Sequence, residues 1–198
     1  MHAVITGSTK GIGLGLAREF LRRGHDVVVS SRGSAAVEKA VAGLRADSPG
    51  RKVVGKVCDV ADYAQVQALW YQQKGGMIWN MEGFGSNGAV RPTIAPYGAT
   101  KYAVRYFTRA MIQELAKSPV KIGYLSPGIV ITDLLVPAPE RRNENWERSK
   151  KILNILADTV ETVTPFLVAG MLREHGKHGA AVRWLTTPKI QARFLMNV

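Results

Sequence analysis

The first part of this chain alternates short, fully apolar runs with longer stretches in which apolar residues recur every three or four positions. His2 to Thr6 is a β-branched run that breaks into glycines, and Ile12, Leu16, Phe20 and Leu21 then mark one helical face as far as Gly24. Val27, Val28 and Val29 sit inside Asp26 to Ser30, a continuously apolar run suited to a strand covered on both faces. A helix is expected over residues 34–46, a strand over Val53 to Val60, a helix over 62–73 and a strand over Met77 to Met81. A glycine-rich loop, Gly83 to Gly88, precedes a long helix from Pro96 to Lys117 and a strand from Val120 to Ser126 that stops at Pro127-Gly128. Helices over 140–157 and 159–174, a strand over Ala180 to Leu185 and a helix from Pro188 onward complete the pattern. Strand and helix alternating at this spacing predict an α/β fold, a doubly wound parallel sheet with helices on both faces. The 198 residues fit one domain, 1–198.

Composition narrows the class without naming a chemistry. Apolar residues make up 46% and charged residues 21%, close to the average for globular proteins, which excludes disorder and fibrous repeats. No apolar run approaches the length of a transmembrane helix, and Met1-His2 leads straight into the first strand, so a cytoplasmic location is expected, with a plastid left open. Cys58, the lone cysteine, falls in an apolar strand pattern and reads as a core residue; no metal site is expected. His25, His175 and His178 have no partners at ligand spacing and read as surface or turn residues. The net charge of +12 raises the question of nucleic acid. The densest basic stretch, Arg141-Arg142 and Arg148 to Lys151, is interleaved with Glu140, Glu144 and Glu147 and lacks aromatic platforms, so a solvated helix face is expected and no nucleic-acid partner.

Candidate chemistry begins at Thr6-Gly7-Ser8-Thr9-Lys10-Gly11-Ile12-Gly13. A glycine-rich turn between a first strand and a helix lets the backbone approach a pyrophosphate, while the helix offers unpaired N–H groups and a partial positive charge. Gly7, Gly11 and Gly13 supply the turn, with Ser8, Lys10 and Ile12 beside them; the wider spacing of the first two glycines departs from G-x-G-x-x-G, and a plain tight turn is the alternative. At the end of the second strand an acidic residue would hold a ribose hydroxyl, whereas a cation suits a 2'-phosphate. Ser31-Arg32 stands there, with Lys10 in the loop, so NADPH is the expected cofactor.

Tyr97 and Lys101 lie four residues apart and share a helical face. A phenol titrates near pH 10, too high for easy proton traffic at neutrality, and a neighbouring ammonium is expected to lower it into the range of a working acid and base. Alone the spacing is commonplace; joined to the glycine loop it is specific.

With these residues the chain resembles the short-chain dehydrogenase/reductase family, whose fold is Rossmann-like. The resemblance rests on Thr6 to Gly13, Cys58-Asp59-Val60, Tyr97 with Lys101, and Pro127 to Thr132. It is closest to chlorophyll(ide) b reductases through Asn80 to Ser86, Tyr97 to Lys101, Ser126 to Leu135 and Ala180 to Pro188. The resemblance implies that Tyr97 donates a proton to a carbonyl oxygen and that Lys101 holds the nicotinamide ribose. It further implies that Asp59 and Val60 meet the adenine and that Pro127, Gly128, Val130 and Thr132 line the nicotinamide side. Ser86 is the implied polariser of the carbonyl, two positions nearer the tyrosine than the broad family has it; a backbone-turn role is its alternative. The implied substrate is a small-molecule carbonyl, a formyl group on a chlorophyll-type pigment, reduced to hydroxymethyl.

Against that family the chain is short. A fourth strand with its Asn-Asn-Ala-Gly-like turn and the long helix after it are missing, the deficit falling around Trp70 to Gly75. The fold is therefore expected to lack one central strand with its flanking helices, and the Met77 to Met81 strand is expected to move inward beside the first strand and fill the ladder. That would displace the Tyr97 helix by about one strand spacing, roughly 4.8 Å. The long helix carries two apolar stripes, Ala99, Ala103, Tyr106, Ala110 and Val104, Phe107, Met111, Leu115, so a homo-oligomer or an exposed sticky face is expected. The second functional reading is a nucleotide-binding but catalytically impaired shortened variant.

Overall fold

The computed structural model describes residues 1–70, 75–136 and 144–196. In chain order the first elements are β1 (His2–Thr6), α1 (Gly11–Arg22), β2 (Asp26–Ser31), α2 (Ser34–Asp47), β3 (Val53–Val57) and α3 (Tyr63–Trp70). They are followed by β4 (Gly76–Met81), α4 (Ala95–Glu114), β5 (Val120–Ser126) and β6 (Ile129–Val130). The last are α5 (Glu144–Leu156), β7 (Ala157–Asp158), α6 (Val160–Arg173), β8 (Ala181–Arg183) and α7 (Thr187–Met196). They form two compact units.

The first unit holds residues 1–70 with Ile131–Val136 and Thr159–Val168. Its sheet is parallel, in the order β1-β2-β3, with His2 opposite Asp26 and Val27 opposite Val53. Val27 and Val29 are completely covered, as a strand apolar on successive positions requires. Leu16, Ala17, Phe20 and Leu21 bury one stripe of α1, and Val37, Ala40, Val41 and Leu44 bury one stripe of α2, each at helical spacing. α1 closes with two backbone bonds, His25 N–H to the Phe20 carbonyl at 3.0 Å and Gly24 N–H to that of Leu21 at 2.9 Å. β3 is shorter than the expected Val53 to Val60. Cys58 N–H still reaches the Ser31 carbonyl, but the Asp59 carboxylate then takes the Ala61 N–H at 3.0 Å and turns the chain.

The second unit holds residues 75–130, 144–158 and 169–196. Its sheet is also parallel, in the order β4-β5-β8, with Gly76 opposite Val120 and Tyr124 opposite Ala181. The expected ladder between Met77 to Met81 and the first strand is not formed among the described residues: β4 pairs with β5, and β1 pairs with β2. Water can satisfy the backbone groups of an edge strand, so an incomplete ladder need not close. α4 lies on this sheet through a polar stitch, in which the Asn80 Nδ2 donates to the Thr108 hydroxyl at 2.9 Å and that hydroxyl donates to the Val104 carbonyl at 2.7 Å. Of the two apolar stripes expected to meet a partner copy or stand as an exposed sticky face, Ala99, Ala103, Tyr106 and Phe107 are exposed. The covered seam runs instead through Thr108, which is fully buried.

His178 is not a plain surface or turn residue. Its Nδ1 accepts the Ile122 N–H at 3.3 Å, which leaves Nε2–H to donate to the Ile112 carbonyl at 2.6 Å, so the ring ties the end of α4 to β5. Residues 71–74, where the shortened interval and the end of the helix expected over 62–73 fall, lie outside the described residues. So do Glu140, Arg141 and Arg142 of the basic stretch, and the side chain of Arg148. No helix among the described residues is long and apolar enough to cross a membrane.

Glu19 is a buried carboxylate inside α1, bonded through both oxygens to Arg22 at 2.7 Å and also to Arg23. The Arg22 hydrogen bond holds its carboxyl below the ordinary value against the opposing pull of burial. A lowered folded pKa contributes stability that is present above the ordinary carboxylate value and is lost as pH falls through the folded one. Thermal melts of Glu19→Gln should therefore lie below wild type at neutral pH, and the gap should close only once the pH passes below the ordinary glutamate range. A gap that stays constant into acid would remove Glu19 from the linkage.

Candidate functional site

Each unit carries its own part of the predicted site. In the first, residues 7–10 turn between β1 and α1, with Gly7 at φ 63° and Gly11 at φ 55°, a region that only glycine enters freely. Ser8 pins the turn to β2. Its buried hydroxyl donates to the Ile5 carbonyl at 2.6 Å and accepts the Ser30 N–H at 2.9 Å, while its own N–H meets the Ser30 carbonyl at 3.1 Å. Ser8 thus shapes the loop from beneath rather than offering its hydroxyl at the surface.

A Cβ on Gly13 would stand 2.5 Å from the Gly7 carbonyl oxygen, so only glycine lets the loop fold back on the first turn of α1. That turn opens with Lys10, without a side-chain cap bond and without an acidic residue. Its leading N–H groups therefore face outward with a partial positive charge, the arrangement that receives a phosphate. The Thr132 methyl lies 3.5 Å from the Cβ position of Gly11, so the segment after β6 reaches this loop. Ser31 is half-buried at the end of β2, and Arg32 and Lys10 are exposed. The buried Ser30 Oγ, one residue earlier, has no hydrogen-bond partner among the described residues. Val60 stands 63% exposed after β3, an apolar surface at the same strand ends, beside the turn made by Asp59. Ile12 is half-buried in the first turn of α1. Cradle, uncapped helix, exposed cations and apolar Val60 together fit a phosphorylated dinucleotide. A surface depression lined by Ser34, Val37, Glu38, Val41, Gly55 and Val57 touches none of these residues.

In the second unit the Tyr97 hydroxyl and the Lys101 stem both crowd the α-carbon of Gly83, just past the end of β4. A Cβ there would collide with the Tyr97 oxygen and stand 3.0 Å from Lys101 Cε. The Lys101 Nζ donates to the Met81 carbonyl at 3.1 Å and lies 5.7 Å from the Tyr97 ring centre. Ser86 is buried, and its Oγ accepts the Gly83 N–H at 3.0 Å. Gly85 packs backbone to backbone on Gly98 in the first turn of α4, where a Cβ would be 2.7 Å from the Gly98 α-carbon. Tyr97, Lys101 and Ser86 are thus gathered on one short segment, 81–86. After β5, Pro127 is buried, as is Val130 of β6, which pairs with β7 in a separate two-stranded sheet, and Gly128 packs against Leu185, with 2.6 Å between its Cβ position and that of Leu185.

The expected lowering of the Tyr97 pKa is not what this arrangement gives. Burial raises the phenol above its ordinary value, and burial lowers the Lys101 ammonium below its own. Although 41% of Tyr97 is exposed, its hydroxyl end is the part turned in against Gly83, and the ammonium is drawn to the Met81 carbonyl instead of the phenol oxygen. Sequence reasoning missed Met81 and Gly83. Their part is played by the main chain, which leaves no signal in residue type beyond the glycine itself.

A glycine cradle before an uncapped helix, and a tyrosine and lysine over a strand end, define a dinucleotide-type α/β protein. The sequence profile described as short chain dehydrogenase matches residues 1–77 and 69–143, and the chain belongs to this family. Chlorophyll(ide) b reductase NOL, chloroplastic, of Oryza sativa subsp. japonica is 30% identical over 261 residues, covering 100% of this chain and 75% of that protein. The NOL protein of Arabidopsis thaliana is 32% identical over 228 residues, covering 84% and 64%. A rice protein named Probable chlorophyll(ide) b reductase NYC1, chloroplastic, is 31% identical, covering 96% of this chain; the chain spans only 50% of that protein's length. Among solved structures, L-sorbose reductase from Gluconobacter frateurii, complexed with NADPH and L-sorbose, shares the fold at TM-score 0.69 and 18% identity, covering 84% of this chain and 88% of that one. An actinorhodin polyketide ketoreductase with NADPH does so at TM-score 0.71 and 20% identity, covering 92% and 95%. The rice alignments run over 261 positions against 198 residues here, and the two profile segments meet at residues 69–77, where the interval reads as shortened.

Gly13→Ala is expected to weaken NADPH binding by about tenfold or more in a fluorescence titration, because the added carbon drives the loop off the helix. An unchanged Kd would mean that the loop is not the cradle.

Proposed function

We propose that residues 1–198 act as one NADPH-dependent reductase of a small-molecule carbonyl, and that its substrate class is a formyl group on a chlorophyll-type pigment. The observation that carries the reading is the packing of the Tyr97 hydroxyl and Lys101 stem over Gly83, with the Ser86 hydroxyl bonded to the same residue. The names of the two NOL relatives support the pigment. In this reading the 7–13 loop and the first turn of α1 hold the pyrophosphate, Lys10, Ser31 and Arg32 face the 2'-phosphate, and Asp59 and Val60 meet the adenine. Lys101 faces the nicotinamide ribose, and Pro127, Gly128, Val130 and Thr132 face the nicotinamide.

NADPH when bound supplies a hydride to the carbonyl carbon. The chain's own part is the proton. Tyr97 keeps its phenol protonated through neutrality, since burial holds its pKa up, and that proton is available to the carbonyl oxygen. Ser86 already accepts from the Gly83 N–H, which leaves its own O–H free to point at the same oxygen and share the developing charge. The product of a formyl group is a hydroxymethyl group. The plastid named for the relatives is the location that goes with this substrate.

A second reading is supported by the positions that the relatives carry and this chain lacks: a protein that binds the dinucleotide but is catalytically impaired. A displacement near 1 Å can cost about a hundredfold in rate. Fluorescence titration with NADPH and turnover on a formyl-bearing chlorin separate the two. Turnover that is lost in Tyr97→Phe is expected for the reductase, and tight binding without turnover would end that reading. Arg32→Asp should weaken NADPH and improve NADH; an unchanged preference would remove Arg32 from the phosphate site.

The α4 face formed by Ala99, Tyr102, Ala103, Tyr106 and Phe107 supports a homo-oligomer, with Tyr106 69% and Phe107 55% exposed. In sedimentation velocity, wild type should run as a dimer or larger species that Tyr106→Glu dissociates. Wild type remaining monomeric at high concentration would refute it.

A further inference from the structure

Glu82 lies one residue beyond β4, inside the Asn80 to Ser86 stretch and between Met81 and Gly83. Its side chain is only 4% exposed, yet it carries a carboxylate. Oε1 accepts from Arg105 Nη1 at 2.8 Å, and Oε2 stands 3.8 Å from Arg183 Nε. Its N–H donates to the Leu125 carbonyl at 2.8 Å, so the residue is fixed by its own backbone as well. Arg105 in turn lies over the Tyr124 ring, 5.7 Å from its centre. One carboxylate thus joins the ends of β4 and β8 and grips α4.

Its place on α4 is what matters. Tyr97, Lys101 and Arg105 follow at four-residue intervals and share one face of the helix. Three consecutive residues at the end of β4 each hold one of them: the Met81 carbonyl takes Lys101, the Glu82 carboxylate takes Arg105, and Gly83 underlies the Tyr97 hydroxyl. The Met81 and Gly83 contacts can slide by rotation of a flexible side chain. The Arg105 guanidinium cannot slide without taking from a buried carboxylate its 2.8 Å hydrogen bond, which Arg183 at 3.8 Å does not replace.

We propose that Glu82 is a positioning residue that, through Arg105, fixes the height and rotation of α4 and thereby the place of Tyr97 and Lys101. The inference deepens the reductase reading above and rests on it for its kinetic consequence.

Glu82→Gln and Glu82→Asp test it by NADPH titration, by turnover of a formyl-bearing chlorin, and by ultraviolet difference titration of Tyr97, isolated by subtracting the same variants carrying Tyr97→Phe. Glu82→Gln should keep the Kd for NADPH within about twofold and KM within about threefold, while kcat falls by about tenfold to a hundredfold. Its Tyr97 titration should move down toward the ordinary tyrosine value as the phenol gains water, and Glu82→Asp, which keeps the charge, should restore most of both. A Glu82→Gln protein with wild-type circular dichroism, kcat and Tyr97 titration would overturn the proposal. If Glu82→Gln does not fold, Arg105→Lys, which keeps the charge and loses the planar fork, is measured in the same way and decided by the same two outcomes. The Tyr97 titration needs no turnover, so a wild-type protein that binds NADPH and reduces nothing would end the reductase reading while the titration still decides the role of Glu82.

Discussion

A parallel ladder leaves backbone amides without partners where its strands stop, and in both units of this protein a buried serine takes such an amide. Ser8, two residues past β1, accepts the Ser30 N–H; Ser86, five residues past β4, accepts the Gly83 N–H. Each bond converts the frayed end of a strand into a fixed loop. The glycine cradle is built on the first loop, and the tyrosine and lysine rest on the second. A buried amide with no partner is destabilising by a few kcal/mol, so these loops are as firmly set as the strands they follow.

Buried charge is handled in a comparable way. Glu19, Glu82 and Asp158 are carboxylates largely removed from water, and each meets arginine: Arg22 and Arg23, Arg105 and Arg183, and Arg193. At Asp158 burial pulls the carboxyl upward, but hydrogen bonds from Arg193 and Trp184 bring it below its ordinary value. Ion pairs of this kind add little net stability compared with apolar packing, but they permit only one geometry. With 27 cationic and 15 anionic side chains, the chain has cations to spare for such pairs, which gives part of its high net charge a structural use.

The parts legible in the sequence were those encoded by spacing within one element. The glycine loop, the α1 and α2 stripes, and Tyr97 with Lys101 depend on residues within about two helical turns of each other, where periodicity is a reliable guide. The parallel α/β class follows from the same periodicities. What escaped was set by distance along the chain. Glu82 meets Arg105 at a separation of 23 residues, and His178 reaches Ile112 across 66. The expected effect of Lys101 on Tyr97 failed for a related reason: four-residue spacing puts two groups on one face, but the Met81 carbonyl, twenty residues away, decides where the ammonium points. The closure of the ladder by β4 was likewise a matter of which strand each edge meets, and hydrophobic pattern does not carry that information.

The contact of Gly85 with Gly98 bears on how this protein can vary. Main chain touches main chain there, so the distance between the serine loop and the start of the tyrosine helix is set by the backbone, provided Gly85 stays glycine; a Cβ on Gly98 would meet nothing within 4 Å. Neighbouring side chains such as Phe84, Ala99 and Thr100 are then free of that duty. Side chains at those positions can change while Tyr97 stays where it is.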